Sequence, residues 1–434
     1  MNNTKNIKSV RVVAITSLIF YSNSAFAYLD PGSGSALVGV ITAAVGSILF
    51  SIKSLFYRFK GQTDPHNTIE INEQSLVLFS EGKAYWGTFR PLINELIRIK
   101  IPFRYFTLDM YDPALMIDSK YMKSKRLSLG SINMSEINNV NAKCVVSTTP
   151  NIGSKGYPIK KSPNNEKLIH IFHHVGDITI YKKHSLDFYD EVILVGDFQK
   201  TAIRDLEKRR ALKKKRLISL GALYLDDLVK NKRSLCDDKP NNEKPTILVG
   251  SSWGAKGCLQ SYGTKFITQL ADSGFNVIVR PHPQSKISEP EFLEECQNST
   301  LHPNIKWDTA ISPSRAMHDS DLLISDTSAL RFDYAFLYQK PIITLDIKKE
   351  NLAEFEQSDL SESWYDHAAF QIGAVVNRNS ISQITTIVSS TLNADMSSDI
   401  DAFREKTVKN FGNSARPIVE YLFQLNGTKQ PDGK

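Results

Sequence analysis

The stretch LLISDTSALRFDYAFLYQKPIITLD (residues 322–346) decides the fold. Its first four residues are apolar and bounded by polar ones, as in a short buried strand. Ser325-Asp326-Thr327-Ser328 makes a polar turn, and an apolar-periodic helix follows. Lys340-Pro341 stops that helix before a second apolar run, IITL. A strand, a helix and a parallel strand form one βαβ unit. The turn between strand and helix is where such proteins hold phosphate, yet no glycine-rich loop is present. Asp326 or Ser325 can cap the helix, and the free N–H groups of its first turn can bind an anion. Thr327 and Ser328 add hydroxyl donors. Arg331 adds a positive charge one turn on, unless it points to solvent. Asp333 lies two turns along from Asp326, suited to a ribose or polyol hydroxyl. The plain alternative is an ordinary capped helix with a surface aspartate.

The same alternation runs outward in both directions. SLVLFS, FRYFTL, KCVVSTTP, KLIHIFHH and EVILVG read as strands before residue 200. TILVG, FNVIVRPHP and NIKWD read as strands after residue 245, and TFRPLINELIRI and YGTKFITQLADSG as helices. A basic helical stretch is expected over Lys200–Arg216. The whole is α/β, with two parallel-sheet domains of Rossmann type. The expected boundaries are 75–235 for the first domain, 236–245 for a charged, proline-containing linker, and 246–434 for the second with terminal helices. The tail from about Ser397 is expected to be helical and to pack back across the first domain.

In open parallel sheets ligands bind at the carboxyl ends of the strands. The distinctive polar residues fall there. Glu81 follows LVLFS, His173 and His174 end LIHIF, Ser252 and Trp253 follow TILVGS, and Arg280 and His282 end NVIVRPH. Histidine is the natural base for activating a hydroxyl near neutral pH. Adjacent residues of a strand face opposite ways, so His173 and His174 do not chelate one ion together. Pro281 and Pro283 fix the backbone around His282, which can then donate to a phosphate oxygen. The alternative there is a rigid turn with a structural histidine.

Length and charge narrow the field. The 434 residues are too many for one core, and 41% hydrophobic with 23% charged residues fits a folded bulk. Residues 1–60 hold six basic residues against Asp30 alone, which leaves +5 of the net +7 in that segment. The remaining chain is close to neutral, which argues against nucleic acid. Nine basic residues lie within Lys200–Arg216. A solvated helix face is the plain account of that run, and contact with anionic lipid is the sharper one. Cys144, Cys236, Cys258 and Cys296 are scattered, without metal or disulfide spacing.

Residues 1–27 have a basic start, an apolar middle and Ala25-Phe26-Ala27, the pattern of a signal peptide or first membrane segment. Ala36–Ile52 within residues 28–60 is apolar and charge-free, and Lys53, Arg58 and Lys60 follow at once. This predicts a spanning helix, single-pass or in a hairpin, in the cell inner membrane, with the later chain on the cytoplasmic side. Gly39, Ala43 and Ser47 allow close approach of a second helix, or merely line a lipid-facing one. Residues 61–74 read as a polar linker.

Several of these stretches together resemble the CDP-glycerol glycerophosphotransferase family, of the teichoic-acid polymerase type. They are DLLISDTSALRFDYAFLYQKPIIT, VIVRPHP, IFHH, GALYLDDL, VVSTTPNIG and SEGKAYWGTFRPLINEL, in order over about residues 75–345. The resemblance implies a GT-B fold of two facing Rossmann-like domains. It implies transfer of glycerol phosphate from CDP-glycerol to an acceptor hydroxyl, with release of CMP. It implies His173 as base and His282 as the histidine on the phosphate side. Donor contacts would come from Arg280, Ser252, Trp253, Asp326, Thr327, Ser328 and Asp333, and acceptor-side contacts from Glu81 and His174. The chain departs from the family at Ala329, where a second serine is frequent, and at HVGD after His173. No metal and no cofactor are expected beyond the donor itself. The partners expected are a CDP-linked donor, a lipid-linked or glycan acceptor and the membrane, and self-association stays open. The competing expectations are a GT-B glycosyltransferase or sugar-nucleotide epimerase of surface polysaccharide synthesis, and a non-catalytic membrane scaffold.

Overall fold

The computed structural model describes residues 71, 75–127, 131–235, 243–310, 312–347, 352–360 and 362–426. The chain divides into two units, Met1–Thr68 and Ile69–Lys434. The signal and membrane segments expected at 1–27 and 28–60 lie outside the described residues, as do residues 236–242 of the linker. Among the described residues no helix is long and apolar enough to cross a membrane.

The second unit holds two sheets whose paired strands are all parallel. The first contains β1 (Leu76–Ser80), β2 (Phe103–Thr107), β3 (Met122–Arg126), β4 (Ala142–Ser147), β5 (Asn165–Ile171), β6 (Glu191–Leu194) and β7 (Arg216–Ser219). Their order is β3-β2-β1-β4-β5-β6-β7. The second contains β8 (Thr246–Ser251), β9 (Asn276–Pro281), β10 (Ile305–Trp307), β11 (Leu322–Ser325), β12 (Ile342–Leu345) and β13 (Gly373–Val376), in the order β10-β9-β8-β11-β12-β13. Both orders reverse beside their first strand, and that switch point opens a crevice at the carboxyl ends. The stretch that fixed the fold behaves as expected. Leu322–Ser325 and Ile342–Leu345 are buried throughout and pair in register, Ser325 opposite Thr344. The helix between them, Leu330–Tyr338, ends on Gln339 in the left-handed region, with Pro341 close behind.

Three strands escaped the sequence. β3 reads MKSKR, an edge strand with no apolar run, and it is held by pairing to β2. β7 is four residues long and begins within the expected basic helix. That helix stops at Arg209, and Ala211 turns the chain with a φ of 51°. β13, GAVV, is short and only partly buried.

The basic run is largely spent within the protein. Lys200 pairs with Asp197, Arg204 with Glu207, and Arg209 with Asp205. Arg210 pairs with Asp187, Glu356 and Asp359, which carries it to the far half of the unit. Lys208, Lys213 and Lys214 remain exposed. Cys144, Cys258 and Cys296 are free and buried.

The tail crosses back. The last helix, Ala415–Asn426, packs on the Trp86–Arg98 helix and on β4, not on the second sheet. GALYLDDL is the clamp that receives it. The backbone at Gly221 has a φ of 104°, and a side chain there would overlap the Lys409 carbonyl. Asp226 accepts from the N–H groups of Ser414 (2.8 and 2.9 Å) and Ala415 (2.8 Å), which caps the last helix from outside it.

Candidate functional site

The predicted residues gather in two clusters, one at the carboxyl end of each sheet. On the first sheet, β5 delivers His173 and His174. His174 is buried, while His173 is partly open. His173 stands edge-on to Tyr85 (5.0 Å between centroids) and to His174 (4.8 Å), and stacks at longer range on Tyr181. Its Nδ1 is covered and has no hydrogen-bond partner. Burial among these rings pushes His173 down to about 4, so its imidazole is neutral at physiological pH. A neutral imidazole can take a proton. Glu81, at the end of β1, accepts from the Tyr157 hydroxyl at 3.0 Å, and its charge acts on Tyr85. Burial, helped by Glu81, pushes the Tyr85 phenol up to about 12. Glu81, Tyr85, Tyr157 and His173 thus form one aromatic-walled corner with a single carboxylate.

His174 turns the other way. Its Nδ1 meets the Tyr365 hydroxyl at 3.3 Å, from the helix Trp364–Ala369 of the second half. A Cβ at Gly176 would overlap that hydroxyl, so glycine is needed for the approach. The Asp177 carboxylate accepts from the Trp364 N–H at 3.0 Å, beside the same contact.

On the second sheet, Asp326 is fully buried at the end of β11. It accepts from the Ser252 N–H (2.7 Å), the Ser252 hydroxyl (2.6 Å), the Cys258 N–H (2.8 Å) and the Ser328 N–H (3.1 Å). Burial pushes its carboxyl up, and the hydrogen bonds pull it back. Asp326 therefore faces the protein rather than a ligand. It ties the loop after β8 to the turn after β11, and Ser252 is committed to it. Nor does Asp326 cap the helix. The helix begins at Leu330, whose N–H is met by the Ser328 hydroxyl at 3.3 Å. The N–H groups of Thr327 and Ala329 have no protein acceptor among the described residues. The serine absent at position 329 leaves that backbone donor in place.

His282 is exposed just after β9. The Gln284 N–H donates to its Nδ1 at 3.0 Å, so the neutral ring carries its proton on Nε2 and presents it outward. Burial lowers its pKa, while Asp326 and Glu289 act in the opposite sense. Trp253, just after β8, is 52% exposed. Arg280 does not reach out. It is buried against Asp308 (2.5 Å) and the Ala310 carbonyl (2.8 Å). Asp333 does not reach out either. It accepts from the Tyr224 hydroxyl at 2.8 Å, and burial pushes its carboxyl up to about 7.

The structure therefore joins Ser252, Asp326 and Ser328 in one network, and Glu81 and His173 in another. Among the described residues no hydrogen bond links His173 to His282. Sequence reasoning missed Tyr85, Tyr157, Tyr181 and Tyr365. Only Tyr85 lies in a stretch already singled out, and a tyrosine gives no sign of where its ring points. Tyr157, Tyr181 and Tyr365 lie outside those stretches. Among the described residues no group of acidic, histidine or cysteine side chains has the arrangement of a metal site.

Two parallel sheets with this strand order, joined through 174–177 and 364–365 and crossed by the last helix, make a GT-B-like fold. Residues 260–424 match the family model described as CDP-Glycerol:Poly(glycerophosphate) glycerophosphotransferase. Over those residues the chain is similar to that family, and the match supports a transferase. Its fold is similar to that of the wall teichoic acid polymerase TagF, solved as a variant soaked with CDPG. The TM-score is 0.53 at 14% identity, over 89% of this chain and 98% of that one. It is also similar to UDP-GlcNAc 2-epimerase from Neisseria meningitidis bound to UDP-GlcNAc, with a TM-score of 0.52 at 13% identity over 81% and 100%. A glycosyltransferase from Rickettsia africae gives 0.51 at 13% over 82% and 100%. At these identities the likeness is one of fold. No curated protein matches the chain by sequence.

Proposed function

We propose that this protein moves glycerol phosphate, or a related polyol phosphate, from CDP-glycerol to a hydroxyl of a cell-surface glycan or lipid-linked acceptor, releasing CMP. The observation that carries this reading is His173, neutral and without a proton partner, on the sheet opposite an anion-ready turn in a family-matched domain. The acceptor hydroxyl enters past Glu81 and Tyr85 and gives its proton to His173. Its oxygen attacks the distal phosphorus. The outward Nε2–H of His282 donates to the phosphate oxygens, and the N–H groups of Thr327 and Ala329 and the hydroxyl of Thr327 hold the diphosphate. Charge stabilisation and in-line positioning supply most of the rate, as in phosphoryl transfer generally. Trp253 offers a stacking face to the cytosine. Ser252, Asp326 and Asp333 serve the donor by fixing the backbone that meets it, and Arg280 by bracing the end of β9. His174 braces His173 from behind.

The proposal includes attachment to the inner membrane through residues 1–60, with the catalytic unit on the cytoplasmic face. It includes no essential metal. The test is to incubate the purified full chain, with acceptor membranes and chelator, against a panel of CDP- and UDP-linked donors. CMP freed from CDP-glycerol is the expected result. Release of UDP from a UDP-sugar would assign the chain to sugar transfer or epimerisation instead, and turnover only after metal addition would remove the metal-free mechanism.

A further inference from the structure

Arg331 is 1% exposed, the largest side chain in the protein's fully buried set. Its Nε donates to the Ser328 carbonyl at 3.1 Å and its Nη1 to the Thr344 hydroxyl at 3.0 Å. Its Nη2 is covered and has no partner. Among the described residues it enters no ion pair, and the Phe332 ring lies 5.4 Å from the guanidinium carbon. Other covered arginines differ. Arg280 is matched by Asp308, and Arg210 by three carboxylates. Burial pulls the Arg331 pKa down to about 10, which still leaves it charged at neutral pH.

A buried cation without a counter-ion is costly, and a fold keeps one where an opposite charge arrives later. The place is specific. Arg331 stands in the first turn of the helix Leu330–Tyr338 and holds the carbonyl of Ser328, in the turn whose N–H groups are open. Thr344, its other partner, lies opposite Ser325 at the carboxyl end of the neighbouring strand. Asp326 and Asp366 act on it without a direct ion pair, and Asp326 is already committed to four donors. No carboxylate oxygen therefore pairs directly with the guanidinium at this turn.

We propose that Arg331 is a positioning residue whose counter-charge is the diphosphate of the bound nucleotide donor. Its Nη2 is covered, so it acts across the turn rather than by touching the ligand. In a low-dielectric site such a charge acts over several ångströms. The inference rests on the reading of this turn as the donor site. It adds that affinity here grades with phosphate charge.

The test uses the full-length protein and titrations with CDP, CMP and cytidine. Arg331→Met removes the charge at similar volume. It should weaken CDP about tenfold or more and CMP about threefold, and leave cytidine unchanged. Its Tm without ligand should be equal to or above that of the wild type, because a lone buried charge has gone. Arg331→Lys keeps the charge and should keep the preference for CDP over CMP. Three results overturn the proposal: equal weakening of all three ligands, an unchanged preference in Arg331→Met, or a preference lost in Arg331→Lys. Parallel titration with UDP and UMP separates this proposal from the choice of donor. A graded, Arg331-dependent response to UDP alone supports the proposal and sinks the CDP-glycerol reading. Tight CDP binding that ignores the charge of Arg331 does the reverse.

Discussion

The two strand-end clusters are built on opposite principles. At the end of the second sheet, Asp326 satisfies four donors from three backbone segments and shares nothing with solvent. At the end of the first sheet, His170, His173, His174 and Tyr181 pack ring against ring, and several of their polar atoms have no partner. One cluster fixes the shape of the backbone turn proposed to meet an anion. The other keeps imidazoles uncharged by withholding water and counter-ions. Burial pushes His170 down to about 3 and His173 to about 4. In the proposed function the turn gains from hydrogen bonds already made, and the base from being unprotonated at neutral pH.

The largest expected effect comes from breaking this contrast at its polar end. Asp326→Ala strands buried donors from Ser252, Cys258 and Ser328, each worth about 1–3 kcal/mol when left unpaired. The loss should exceed about 3 kcal/mol in denaturant unfolding. The matching change on the other side is His170→Phe, which replaces a ring with two unpartnered nitrogens by an apolar ring among Phe172, Tyr181 and Tyr189. It should be within about 1 kcal/mol of neutral, or stabilising. Equal losses at the two sites would show that the clusters do not differ as described.

A smaller effect follows pH. Asp333 has a folded pKa of about 7, above its unfolded value, so the folded protein holds a proton that the unfolded chain releases. Its contribution to stability is fully present below the unfolded value near 4 and is lost as pH rises to about 7. The buried histidines run the other way. Their folded values are depressed, so stability is lost as pH falls below about 6.5. Comparing Asp333→Asn with the wild type isolates the carboxylate, since the amide oxygen can still accept from Tyr224. The Tm advantage of Asp333→Asn should be larger at pH 8 than at pH 5. An advantage constant across that range would remove the half-buried, proton-holding aspartate from the account.

The sequence carried the fold because buried parallel strands are apolar runs, and LLIS, IITL, TILVG and LVLFS are that plainly. It missed β3 and β7 because their residues are polar or basic and are held by a neighbour rather than by burial. Strand-end positions were legible as well, so Glu81, His173, His282 and the 325–328 turn were all marked. Direction was not. Arg280 and Asp333 sit where expected, yet they spend their groups on Asp308 and Tyr224. GALYLDDL was visible as a motif but not as a clamp, because its partner Ser414 lies 188 residues beyond Asp226. Arg331 was legible as a charge beside the turn. That it lacks a counter-ion is a property of packing alone.

The central claim is transfer at phosphorus with His173 as the base. The direct measurement follows phosphorus label from the distal phosphate of CDP-glycerol, using the full chain and acceptor membranes. The account predicts that label enters the acceptor while CMP is freed, and that His173→Ala slows this by about 10²–10⁴ with donor affinity unchanged. Label leaving with the nucleotide as CDP, or a His173→Ala protein that transfers at the wild-type rate, would contradict it.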